Sequence, residues 1–368
     1  MIKRLLILNG LAAVCAVINH AVVWELTAMF WWSDRYLPTG MVVNQYESWR
    51  FFTVGLINQL VFFAVFAFLF ISGFFIPIAT DRTQKTISWR LVLQRIKFLL
   101  IPYILWTVVL LVLNLVQGKS YTPWEIIKIF LMGGVSPPYY YVILIVQLYL
   151  LSPLIVPLAR NRWKPLLVVT GFLQIITLVA YYAAIFNISL GALESVSIIL
   201  RYWHLIGYAF WFALGMVIGF HLQEFRSRLY NRRWFFLAAM LVTFVVGFLE
   251  WSAIRQLSGR EWTSPQVTLF NRLFVLFLLL CFVAFDNFPI PFSSLFSKLG
   301  PKSYGIYLVH AIPMEMTARL VYHIAPALLA YQIIFIPLLL VASIGVTIVL
   351  MALVDRSFLR PYHKYIFG

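Results

Sequence analysis

The sequence predicts an all-α integral membrane protein, a bundle of about ten transmembrane helices with both termini on the cytoplasmic side. Three observations carry that prediction. The 368 residues are 63% hydrophobic and only 11% charged, whereas soluble domains carry about 25% charged residues. Uncharged runs such as 59–78 and 333–354 reach the roughly 20 apolar residues that a helix needs to cross a hydrocarbon core of about 30 Å. The cations, finally, are shared unequally between alternate loops.

Hydropathy and Pro/Gly punctuation place the helices near 5–30, 54–78, 92–116, 140–158, 165–186, 203–222, 234–250, 267–285, 303–323 and 326–354. A short interfacial helix is expected over 122–132, and a Pro/Gly-bounded re-entry over 292–301. Nineteen Lys and Arg, Lys3, Arg4, Arg82 and Arg360 among them, fall on the N-terminus, one set of loops and the C-terminus, against seven on the opposite loops. Cytoplasmic loops collect these residues, which orients the bundle. The same rule accounts for the net charge of +16, so no nucleic-acid partner is expected.

The start, MIKRLLILNGLAAVCAV, has the basic flank and apolar stretch of a signal peptide. Its apolar run continues past His20 with no small-x-small cleavage site, and it is read as an uncleaved first span. Cys15 and Cys281 both fall in apolar runs and read as buried thiols. No zinc or haem spacing occurs, and no metal is expected. With no internal repeat, a single membrane-embedded domain over 1–368, without a fused soluble domain, is expected.

Few polar residues interrupt the spans, and those are where chemistry is sought. An ionisable side chain inside a bilayer costs roughly 2.5–3.5 kcal/mol for the charged types, so it marks a functional candidate by default. His20 lies in the first span, about 15 residues or roughly 23 Å beyond the basic flank, past the midplane. Asn9, three turns earlier, shares its face. The plainer alternative makes His20 a neutral imidazole bonded to a neighbouring helix. In the ninth span Ser303, Tyr307 and His310 follow i, i+4, i+7 spacing and line one face. Glu315 and Arg319 are spaced for an intrahelical ion pair, and Asn271 and Arg272 in the eighth span need partners inside the bundle. Arg90, Arg95 and Lys97 cluster where the third helix begins. They fit positive-inside anchoring and a phosphate-binding mouth equally.

Taken in order, His20, FLFISGFFI at 68–76, RIKFLLIPYILW at 95–106, YYYVILIVQLYLLSPLI at 139–155 and LGPKSYGIYLVH at 299–310 resemble the acyltransferase 3 family of integral membrane acyltransferases. The resemblance covers nearly the whole chain. It implies transfer of an acyl group, usually acetyl, from coenzyme A to a hydroxyl of a sugar, glycan or lipid-linked glycan at the cell membrane. Acyl-CoA is then a donor substrate, and no bound cofactor is expected. In the family the first-span histidine is regarded as catalytic, which maps onto His20. Relatives usually carry arginine where this chain has Asn9, and a second arginine where it has Phe98. Tyrosines of YYYVILIV stand where many relatives have His and Trp.

The chemistry fits the residue: a sugar hydroxyl needs a base near neutral pH to attack a thioester, and imidazole is that base. Asn19, Tyr307 and His310 are the candidates to orient it or to stabilise the oxyanion. Arg90, Arg95 and Lys97 would receive the phosphates of coenzyme A, while Asn9 and Ser303 would face the substrate. A covalent acyl-histidine is the competing version. Two other classes fit the sequence: a transporter or flippase of a polar or lipid-linked solute, and an inactive acyltransferase-like partner. No oligomeric state is read from the sequence.

Overall fold

The computed structural model describes residues 1–38, 45–80 and 84–368; Arg82, one of the loop cations, lies outside them. The protein is all-α, with no strand among the described residues. In chain order the helices are α1 (Ile2–Phe30), α2 (Trp49–Val61), α3 (Ala64–Ala79), α4 (Trp89–Val116), α5 (Pro123–Met132), α6 (Tyr140–Asn161), α7 (Trp163–Ile185), α8 (Glu194–Tyr202), α9 (His204–Phe220), α10 (Leu222–Asn231), α11 (Arg233–Ser258), α12 (Leu269–Ala284), α13 (Ser293–Leu299), α14 (Ser303–Val309), α15 (Ala311–Ile324), α16 (Gln332–Asp355) and α17 (His363–Ile366).

The apolar runs become helices because a helix satisfies its own backbone donors and acceptors where no water can. Among the described residues seven stretches are long and apolar enough to cross a membrane, with α2 and α3 together making one of them. The helix α8 and α9 form an eighth if counted together, bent by 51°. The ten expected spans therefore differ from the observed helices at three places, the first being 203–222, which yields the 17-residue α9 and reaches span length only together with α8. The segment expected over 267–285 yields α12, 16 residues long and so about 24 Å, because Pro265 and Ser264 start a separate 3-10 turn before it. The segment expected over 303–323 is divided at His310 into α14 and α15. The short helix expected over 122–132 is α5, where Thr122 and Glu125 form a reciprocal capping box.

The described residues group into two compact units, each assembled from distant stretches of chain. The first contains 1–5, 65–95 and 144–293; the second contains 6–64, 96–143 and 294–368. In the first, Gly73 of the FLFISGFFI run lets the backbones of α3 and α9 touch, since a Cβ there would strike the Phe212 carbonyl. Arg272 is buried; its Nε donates to the Gln266 carbonyl and its Nη1 to the Gly207 carbonyl, both at 2.8 Å. Its guanidinium also lies over the rings of Phe66 and Tyr208, at 5.3 and 5.1 Å. Asn271 donates to Thr268 Oγ1 at 2.7 Å. The Glu250 carboxylate accepts from the Tyr182 hydroxyl and from the backbone N–H groups of Leu269 and Phe270, at 3.1 and 2.9 Å. Those N–H groups are orphan donors of the first turn of α12, and the carboxylate also complements the positive helix end.

In the second unit the Arg50 guanidinium meets the Glu25 carboxylate at 3.4 Å, with the Glu25 side chain fully buried in α1. Tyr103 on α4 donates its hydroxyl to the carbonyls of Ile129 and Phe130, at 3.2 and 2.9 Å, which ties down the end of α5. Glu315 and Arg319 form the ion pair that their spacing predicts, at 2.9 Å.

Candidate functional site

The site is built in the second unit, from α1 and from the break between α14 and α15. Gly10 brings α1 against the turn before α14. A Cβ at this position would collide with the Phe296 carbonyl, so only glycine permits the approach. The approach puts Asn9 in reach of that turn: its Nδ2 donates to the Gly300 carbonyl at 2.9 Å and to Ser303 Oγ at 2.7 Å. Asn9 and Ser303, expected on the substrate face, are thus engaged with each other as a clamp between two helices. A short neutral amide is what this close contact accommodates.

From that clamp α1 runs eleven residues, about 16 Å, to His20. The opposing chain is interrupted at the same level. Pro313 has no N–H to give the carbonyl of Val309 four residues back, and its ring crowds that carbonyl. Three neighbouring carbonyls are taken by side chains. Tyr139 donates its hydroxyl to the Leu308 carbonyl at 2.7 Å. His310 Nδ1 lies 2.7 Å from the Tyr307 carbonyl and 3.1 Å from that of Ile306. Both partners are acceptors, so Nδ1 carries the proton. In the neutral ring Nε2 is then the lone-pair nitrogen. It is buried and has no hydrogen-bond partner among the described residues.

The ring of His310 faces that of His20, with centroids 5.2 Å apart and planes 32° from parallel. Both rings line a cavity of about 250 Å³. Its walls include Trp24, Leu110, Pro137, Pro138 and Met314, and its polar groups come from Asn114, Lys119, Ser136 and Glu315. Lys119 Nζ donates to Asn114 Oδ1 at 2.9 Å. The volume is below the roughly 300–1,000 Å³ of drug-sized sites, which suits one small reacting group.

The remaining sequence candidates fall in different places. Asn19 accepts a hydrogen bond from Asn58 Nδ2 at 2.8 Å, so its carbonyl oxygen is occupied. Tyr307 is buried, with its ring 6.2 Å from that of His310 and edge-on to Tyr141. Its hydroxyl has no hydrogen-bond partner among the described residues. Arg90, Arg95 and Lys97 all lie on α4, the first two in the first unit and Lys97 in the second. Arg90 is exposed. Arg95 lies over the Tyr149 ring at 5.5 Å and donates to the Phe75 carbonyl at 3.4 Å. Lys97, two residues and so about 200° further round the helix, sits over Tyr365 at 5.5 Å. Phe98 packs on the same tyrosine at 5.8 Å.

Three contributors were not singled out from the sequence. Tyr139 holds the helix break, and Asn114 and Lys119 line the cavity. Tyr139 was visible as part of YYYVILIV but not as the partner of a carbonyl 169 residues away. The Glu25–Arg50 pair was open to detection, since an acid inside an apolar run calls for a cation. Among the described residues no group of three or more His, Cys, Asp or Glu is arranged to hold a metal ion.

A comparison with family models matches residues 5–354 to the one described as an acyltransferase domain. No curated protein and no solved structure matches the chain. The matched stretch includes both histidines, the Asn9 clamp, the Pro313 break and every residue lining the cavity. Over nearly its whole length, then, this multi-pass chain belongs to the acyltransferase 3 family and is a membrane acyltransferase.

Proposed function

We propose that the protein moves an acyl group, acetyl in the simplest case, from acyl-CoA to a hydroxyl of a sugar, glycan or lipid-linked glycan at the cell membrane. His20 is the general base. The observation that carries this reading is the half-buried His20 ring on the wall of a small, largely apolar cavity, opposite a second imidazole. A hydroxyl held there gives its proton to His20 as its oxygen attacks the thioester carbonyl. Such base help is worth about 10²–10⁴-fold, and the enclosed walls hold the reacting groups together. The Tyr307 hydroxyl, buried near His310, is the donor available for a developing oxyanion; Asn19, tied to Asn58, steadies α1 beside the base. Arg90, Arg95 and Lys97, the cations of α4, receive the phosphates of the donor. With the orientation expected from loop charge, the acceptor reaches the cavity from the outer side.

The decisive experiment incubates the protein in nanodiscs with radiolabelled acetyl-CoA, with and without cell-envelope glycolipid. Label moving to the glycolipid supports the assignment. Solute uptake without thioester turnover supports a transporter instead, and neither activity supports an inactive partner. A folded His20→Ala protein with undiminished transfer would remove His20 from the chemistry.

A further inference from the structure

We infer that His310 is the positioning residue behind His20, a fixed lone-pair acceptor that takes the proton from the far side of the His20 ring while the acceptor hydroxyl is deprotonated on the near side. The inference rests on the acyl-transfer reading above and assigns the second imidazole a single task. Three observations lead to it. The proton of His310 is fixed at Nδ1 by the Ile306 and Tyr307 carbonyls, so Nε2 is an acceptor. That nitrogen is buried with no partner among the described residues, and a buried polar group left unpaired is unfavourable. The imidazole of His20 lies beside the His310 ring, with ring centroids 5.2 Å apart. Two imidazoles joined by an N–H···N bond of about 2.9 Å have nearly this separation, and the final torsion of His20 is soft enough to bring a ring nitrogen into line.

The steps balance as follows. The hydroxyl oxygen forms a bond to the thioester carbon, and the carbonyl π pair moves to oxygen. The hydroxyl proton passes to the cavity-facing nitrogen of His20, whose other N–H passes its proton to Nε2 of His310. The imidazolium so formed on His310 still donates from Nδ1 to two backbone carbonyls, which solvate its charge. When the oxyanion collapses, the carbon–sulfur bond breaks with its electron pair on sulfur. The proton returns from His310 through His20 to the thiolate. The products are the O-acyl ester and the free thiol, and both imidazoles regain their starting state.

Two substitutions separate this role from a purely structural one. His310→Asn keeps a donor where Nδ1 stands and removes the acceptor; His310→Gln keeps an acceptor where Nε2 stands. We expect both to lower kcat by roughly 10²-fold with both KM values unchanged, because an amide oxygen accepts a hydrogen bond but is too weak a base to take the proton. His310→Gln turning over like the wild type would overturn the relay. In mixed H2O and D2O the wild type should show a curved proton inventory, as two protons move together, and His310→Asn a straight one. His310→Asn turning over like the wild type, or a straight inventory in the wild type, would overturn the inference. Nitrogen-15 spectra of labelled histidine test it without any turnover. A bare Nε2 on His310 supports it, and a proton on that nitrogen refutes it. A protein that consumes no thioester fails the acyl-transfer reading, while the spectrum still decides the state of His310.

Discussion

Arg272 in the first unit and His310 in the second are both polar side chains buried among apolar helices, and they are treated in opposite ways. Arg272 spends two nitrogens on backbone carbonyls and lies over two aromatic rings. Close by in sequence, Glu250 closes the first turn of α12. These residues complete helix ends and loops. His310 has one nitrogen engaged and the other unpaired on the wall of a cavity that it shares with His20. A buried polar group held by hydrogen bonds to backbone carbonyls stabilises a fold. One left incomplete beside a cavity retains an unused bonding capacity, and that capacity is what catalysis draws on.

The contrast is most exposed to test at His20. Its replacement by alanine should reduce transfer by about 10²–10⁴-fold with little change in melting temperature, measured as labelled-acyl turnover beside thermal unfolding in detergent. Glu250→Ala should do the reverse. Losing a charged acceptor from two backbone N–H groups should cost about 2–3 kcal/mol, seen as a lower melting temperature, while the kcat of the remaining folded protein stays put. A Glu250 variant that melts normally but turns over slowly would erase the distinction between the two regions. Gly10→Ala joins both effects: the Cβ meets the Phe296 carbonyl, costing about 1–3 kcal/mol by overpacking, and α1 must shift with His20 upon it. Both melting temperature and kcat should fall. The smallest changes are expected at Arg95→Gln and Lys97→Gln, each raising the donor KM by roughly threefold to tenfold without altering the acceptor KM. An unchanged donor KM would make these cations topological anchors.

Much of the site was legible one residue at a time. His20 stood out because an ionisable group in an apolar run is rare, and Tyr307 and His310 because helical spacing put them on one face. The relations among them were not legible. Asn9 shares a face with His20 on a helical wheel, yet its amide goes to Gly300 and Ser303, because Gly10 admits the opposing backbone at that level. Arg90, Arg95 and Lys97 looked like one basic mouth in a linear string. Helical rotation sends Arg95 to Phe75 and Tyr149, and Lys97 to Tyr365. The break at His310 was implicit in Pro313, but whether a proline merely kinks a helix or divides it depends on which side chains serve the freed carbonyls. Here they are His310 itself and Tyr139.

Composition and periodicity by themselves determined that this protein is an all-α membrane chain, since burying long uncharged runs in lipid leaves the helix as the way to satisfy their backbone. They also determined which few polar residues such helices must carry inside. Tertiary structure alone decided which of those residues meet. Hydrogen bonds and van der Waals contacts act over a few ångströms, whereas His20 and His310 are separated by 290 positions in the chain. Only packing α1 against the divided α14–α15 segment could bring their rings together and leave one nitrogen of the pair free.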